Sequence, residues 1–208
     1  MNYLKIKLIM IKIIIIWAWW HAEVIKNSIL YTKDYQFLWY LDDNKVWSEI
    51  LGKISTYSQY ITSVKFICWI GDNNLREKYY SIIKEAWGKF WNVIHPNSYI
   101  ESWVILGEWI FIWSNTYINI GSRIWNNSII NNGVIVEHHN SIWMNVHMAP
   151  WVITWWNVSV WDNVFLWLWS IIINNITIWD NVFSWAWTLI HKNVDENLKI
   201  VWVPFKIL

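Results

Sequence analysis

The sequence predicts a left-handed parallel β-helix, a hexapeptide-repeat solenoid, preceded by a small α/β domain of Rossmann-like βαβ type. Three observations carry that prediction. Aliphatic residues recur every six positions from Ile94 to Ile190, asparagine and glycine recur three residues after them, and the first ninety residues alternate apolar runs with helical stretches.

The first element is the run Leu8–Ile16, which reads as a buried parallel strand. A bilayer span needs roughly 20 apolar residues, and Lys12 interrupts this shorter run. Ala18 lies between Trp17 and Trp19, not in the small-residue context of a leader cleavage site. A strand without membrane insertion is therefore expected. It feeds the segment Trp17-Ala18-Trp19-Trp20-His21-Ala22 and a helix running to about Leu30. A second strand, Phe37 to Leu41, ends in Asp42-Asp43. A third, Val64 to Ile70, ends in Gly71-Asp72-Asn73, and Arg76 opens the helix that follows. Ligands of open α/β sheets bind outside the carboxyl ends of the strands, where these three loops fall. Residues 1–91 are assigned to this α/β domain and residues 92–208 to the solenoid with its C-terminal tail.

The solenoid is read in sixes from Ile94. Of seventeen first positions, fifteen are aliphatic or Met, the exceptions being Thr154 and Ser184. Fifth positions, from Ser98 to Val194, hold only Ser, Thr, Val, Ile and Asn140, as a crowded inward-facing site requires. Nine fourth positions are Asn, and two are Gly121 and Gly133. Both residue types accept φ > 0, the demand of a tight turn between short strands. Three hexads close one triangular coil, and each coil buries its aliphatic edge on the next.

Tryptophan breaks this logic. The chain has 23 Trp and only 6 Gly, and five fourth positions are Trp103, Trp109, Trp151, Trp169 and Trp187. Eight second positions are Trp as well. A bulky aromatic at φ > 0 is an outlier. The pattern is the one expected if UGA codons read as glycine had been written as tryptophan. With that reading, Trp17–Ala22 becomes a glycine-rich turn presenting backbone N–H groups to a phosphate at a helix N-terminus. The same segment, with Asp42 about 20 residues on, also fits the NAD fingerprint. The domain is short for a full dinucleotide fold, so the mononucleotide part of a nucleotide sugar is the preferred ligand.

Composition narrows the function further. A net charge of +1 gives no nucleic-acid footprint, and the single cysteine, Cys68, excludes an internal disulfide framework and fits a reducing, cytoplasmic setting. No serine-nucleophile motif, HExxH or CxxC occurs, so metal chemistry has no support in the sequence.

Taken together, the loops at Trp17–Ala22, Leu41-Asp42-Asp43 and Ile70–Asn73 with Arg76, then Val93–Pro96, Val136–His139, Val146–Pro150 and Val201–Lys206, carry a family resemblance. Nearly the whole chain resembles the sialic-acid O-acetyltransferase and UDP-amino-sugar N-acetyltransferase family of hexapeptide acyltransferases. The resemblance implies a homotrimer with active sites between subunits and acetyl-CoA as co-substrate. It implies N-acetylation of a UDP-4-amino-4,6-dideoxy sugar in bacterial glycan biosynthesis, with sialic-acid O-acetylation as the runner-up. An inactive solenoid scaffold is the alternative of another class.

By the same resemblance His138 is the general base, with His139 beside it in the catalytic site. His147, Leu168, Ala186, Pro204 and Lys206 lie along acetyl-CoA. Trp19, Trp20, His21, Asp42, Asp43, Gly71, Asp72 and Asn73 surround the nucleotide sugar. The family follows its catalytic histidine with Asp or Glu, and this chain has His139 instead. Glu137, an immediate strand neighbour, points the wrong way to replace it. His138 and His139 also read as plain turn residues, His95 as a structural cap before Pro96, and His191 as a surface residue.

Overall fold

The computed structural model describes residues 11–16, 20–31, 35–44, 48–68, 70–201 and 206–207. The N-terminal part is a parallel sheet built from β1 (Ile11–Ile16), β2 (Tyr35–Leu41), β3 (Ile50–Gly52), β4 (Lys65–Cys68) and β5 (Lys89–Phe90), in the order β3-β2-β1-β4-β5. Helices α1 (Trp20–Leu30) and α2 (Asn73–Glu85) and a 3₁₀ helix, Ile54–Tyr60, connect them. Ile13 to Ile16 are fully buried, which is why the central strand is a continuous apolar run with no alternation. The chain passes from β1 to one side of the sheet and returns on the other at β4. The switch point is therefore flanked by the ends of β1 and β4.

The expected strands and helices are present with shifted bounds. Leu8 to Met10 lie outside the described residues. The short β3, β5 and the 3₁₀ helix are additions that no periodicity announced, because each is too brief to show one. Asp72 caps α2, its Oδ1 accepting from Leu75 N–H at 2.8 Å. The helix ends in a Schellman motif: Trp87 N–H donates to Lys84 O at 3.0 Å and Gly88 N–H to Ile83 O at 2.9 Å. The C′ position of that motif, usually glycine, is Trp87 at φ 63°.

From β6 (Val93–Ile94) to Leu189–Ile190 the described chain forms seventeen two-residue strands in three parallel sheets, a left-handed β-helix of triangular section. Partners are 18 residues apart, as in Tyr117↔Ile135, so one coil is three hexads. First and fifth positions fill the interior, where Ile112, Ile118, Ile130, Val136, Val146, Val158 and their equivalents form one column of core. Polar interior residues pair with one another: Asn140 Nδ2 donates to Thr154 Oγ1 at 2.9 Å, and its Oδ1 accepts from Val158 N–H at 2.6 Å.

The fourth positions are left-handed where the period predicts, with two corrections. Asn97 is not among the left-handed residues; its corner is closed by Ser98 N–H on His95 O and by Asn97 N–H on His95 Nδ1. Asn193 is also not left-handed, and Asn197 is. Phe183 pairs with Lys199, only 16 residues on, so the last coil is two residues short and the register slips after Ile190. All five tryptophans at fourth positions have φ between 58° and 64°.

Candidate active site

The α/β part is clamped to one corner of the solenoid. That corner is a column of fourth-position residues one coil apart: Asn127 Nδ2 donates to Asn145 Oδ1 at 2.8 Å, and Asn145 Nδ2 to Asn163 Oδ1 at 2.6 Å. Arg76 is fully buried against it. Its Nε donates to Asn127 O at 3.0 Å, and Nη2 to Asn145 O and Asn73 Oδ1, both at 2.9 Å; Nη1 donates to Ile70 O at 2.8 Å. Burial pulls the guanidinium down to about 10, so it stays charged at neutral pH. Sequence reading missed this clasp, because an arginine paired only with carbonyls leaves no charge pattern.

The loop Gly71–Asn73, at the switch point, is thereby fixed over the adjoining solenoid face. His147 Nδ1 lies 3.3 Å from Gly71 O, and its ring packs on Phe165 at 4.5 Å between centroids. A cavity of about 540 Å³ opens there, lined in part by Gly71, Asp72, His147, Pro150 and Leu168. A second, of about 490 Å³, adjoins it along Asn73, Phe183 and Trp185. The structure thus gathers the expected acetyl-CoA residues His147 and Leu168 and the expected sugar residues Gly71 and Asp72 into one groove. Ala186 lies one coil beyond Leu168. Asn73 is nearby, but its amide is engaged with Asn163 O and Val164 O.

Asp42 and Asp43 stand at the end of β2, hydrogen-bonded within the chain. Asp42 Oδ1 accepts from Asn44 N–H at 2.7 Å, and Asp43 from Ile54 N–H at 2.9 Å and from the Tyr79 hydroxyl at 3.3 Å. Burial and Asp43 push Tyr79 up to about 12. Trp20 and His21 begin α1. Trp19 and Pro204 lie outside the described residues, and Lys206 is described only as part of a short closing strand, Lys206–Ile207.

His138 and His139 occupy another corner, between the strands Ile135–Val136 and Ser141–Ile142. His139 is left-handed at φ 59°. The two Nδ1 atoms are 3.0 Å apart, with the rings nearly perpendicular at 85°. The His138 ring lies parallel to Trp156 at 5.9 Å. Glu137 is engaged elsewhere: Asn119 Nδ2 donates to its Oε2 at 2.8 Å. A cavity of about 380 Å³ runs past Glu137, His138, Ile153 and Trp155. Within one chain His138 does not reach the groove that holds His147.

Residues 12–83 match the family model described as the PglD N-terminal domain. Among curated proteins no sequence matches. Solved structures match nearly the whole chain. PerB from Caulobacter crescentus, in complex with CoA and GDP-perosamine, is 24% identical, with a TM-score of 0.89 over 95% of this chain and 97% of its own. The acetyltransferase domain of PglB from Neisseria gonorrhoeae, in complex with acetyl coenzyme A, is 18% identical, with a TM-score of 0.90 over 96% of this chain and 100% of its own. These likenesses establish the fold.

Proposed function

We propose that this chain is an acetyl-CoA-dependent N-acetyltransferase acting on a nucleotide-linked amino sugar. One observation carries the reading: the loop at the sheet's switch point and the solenoid face bearing His147 share a single groove. A nucleotide at the sheet and a pantetheine arm along the solenoid would meet there. The likeness to structures that hold CoA with GDP-perosamine, or acetyl coenzyme A, supports it.

The reaction needs little beyond a base and alignment. Nε2 of His138 takes a proton from the sugar amine as its nitrogen attacks the thioester carbonyl carbon. The tetrahedral intermediate collapses, the carbon–sulfur bond breaks, and the imidazolium returns the proton to the leaving thiolate. His147, Leu168 and Ala186 line the acetyl-CoA side, and Pro204 and Lys206 are assigned to the same ligand. Gly71, Asp72 and the N-terminal end of α1 hold the nucleotide sugar.

The working form is a cytoplasmic homotrimer. His138 and the groove sit at different corners of one chain, so a neighbouring subunit brings them together. The sugar nucleotide is UDP-linked in this reading.

The test is release of CoA thiol from acetyl-CoA in the presence of UDP- or GDP-linked 4-amino sugars. Thiol release that requires the amine, and that falls about 10²–10⁴-fold in His138→Ala, is the expected result. No turnover with any amino sugar, or product acylated on a hydroxyl, overturns it.

A further inference from the structure

His139 stands where a carboxylate would ordinarily orient the base, and its geometry is more specific than a turn residue needs. Two neutral imidazoles with Nδ1 atoms 3.0 Å apart must share one proton: one Nδ1 donates and the other accepts. If His139 donated, His138 would carry its own proton on Nε2 and could not act as a base. If His138 donates, its Nε2 is a free lone pair.

The ring of His139 is held for this purpose from below. A Cβ at Gly121, one coil earlier, would fall 2.9 Å from its Cδ2 and 3.0 Å from its Nε2, so the ring lies directly on the Gly121 backbone. Behind the turn, the buried Asn140 is tied to Thr154 and to Val158 N–H. Other charges do not compete. Among the described residues, the corners below and above, Asn119–Gly121 and Trp155–Asn157, hold no titratable side chain, and Arg123 follows two residues after the lower corner. Glu137 is the only carboxylate in the His138 corner, and it binds Asn119.

We propose that His139 is the positioning residue of this site, accepting the Nδ1–H of His138 so that Nε2 of His138 faces the acceptor amine. The inference rests on the acetyltransferase reading. It replaces a charged partner with a neutral one, so the imidazolium formed during attack is hydrogen-bonded but not ion-paired.

The experiment compares the wild type with His139→Gly and His139→Asp. Glycine keeps the left-handed turn and removes only the ring. His139→Gly is expected to lose roughly 10- to 100-fold in kcat, with KM for acetyl-CoA and the melting midpoint unchanged. His139→Asp restores an acceptor and recovers most of that loss. Its acidic limb of the rate profile moves to higher pH, because a carboxylate favours the imidazolium. Wild-type kcat and pH profile in His139→Gly overturn the proposal. Nitrogen-15 NMR of the ring at pH 8 separates it from the activity itself. His138 should carry its proton on Nδ1 in the wild type and become a tautomer mixture in His139→Gly. A proton on Nε2 in the wild type overturns the proposal whether or not turnover is found. Turnover absent with the Nδ1–H tautomer present overturns only the substrate reading.

Discussion

Replacing Trp87 and Trp103 by glycine should stabilise the protein. Both sit in the left-handed region, at φ 63° and 64°, and both rings are spread into solvent, 91% and 81% exposed. A left-handed backbone costs a non-glycine residue about 1–2 kcal/mol. Glycine returns about 0.5–1 kcal/mol of that through the freedom of its unfolded chain. The net gain is about 1 kcal/mol at each site, since so little ring surface is lost. Among the described residues the two share no hydrogen bond or ring contact, and they should add. For a chain of this length the pair should raise the melting midpoint by about 4–8 °C. Trp109 is the control. It is left-handed too, but 2% exposed, stacked on Phe90 at 4.6 Å and tilted against Tyr80 at 5.4 Å. Emptying that site costs about 3–5 kcal/mol, more than the backbone returns, so Trp109→Gly should melt lower. Differential scanning calorimetry of the three variants decides it. A fall in midpoint for Trp87→Gly or Trp103→Gly refutes the strain argument. Peptide masses of the protein isolated from its source organism are the companion measurement: we expect glycine at both positions, and tryptophan there refutes the codon reading.

Two further predictions concern the clasp and the corner above Met144. Arg76→Met should lower stability by about 3 kcal/mol or more, because buried carbonyls of Asn127 and Asn145 lose a charged donor; a chemical-denaturation midpoint within error of wild type would refute that role. Burial, with Asp180 adding repulsion, holds Asp162 above its ordinary 3.8, against the opposing hydrogen bond from Met144 N–H. The folded state therefore binds its proton more tightly than the unfolded chain, and stability falls as pH rises through that window. Asp162→Asn keeps the acceptor for Met144 N–H at 2.8 Å without the charge. It should melt higher at pH 7, with the advantage gone below the ordinary value of 3.8, as thermal unfolding across pH will show.

Much of the fold was legible because the solenoid repeats its physics every six residues. Interior volume restricts first and fifth positions, and the turn restricts the fourth, so Ile94 to Ile190 could be placed without a partner sequence. The exceptions have local causes. Asn97 opens the first corner, where His95 accepts the hydrogen bond that closes the turn. Asn193 falls in a coil that has lost two residues. The α/β part was legible at its long strands and silent at β3 and β5. Asp42 and Asp43 look like ligands in the sequence, and the structure adds what no spacing announced, that they also accept from the chain's own N–H groups.

The site was less legible because position in the hexad says nothing about which corner a residue occupies. Sorting the fourth positions by 18 separates them into three columns with different work. Trp103, Gly121, His139, Asn157 and Asn175 form the histidine corner. Trp109, Asn127, Asn145, Asn163 and Asn181 form the corner clasped by Arg76. Asn115, Gly133, Trp151, Trp169 and Trp187 form the third, where the last three rings stack at 5.4 and 5.2 Å. Asparagine at a clasped corner is chosen for its side chain as well as its φ, since Asn127, Asn145 and Asn163 pass hydrogen bonds along the column. At the histidine corner the same backbone demand admits an imidazole, and Gly121 beneath it supplies the flat seat that orients the ring. One conformational rule, satisfied by different residues at different corners, thus separates the corner that docks the α/β part from the corner proposed for the chemistry.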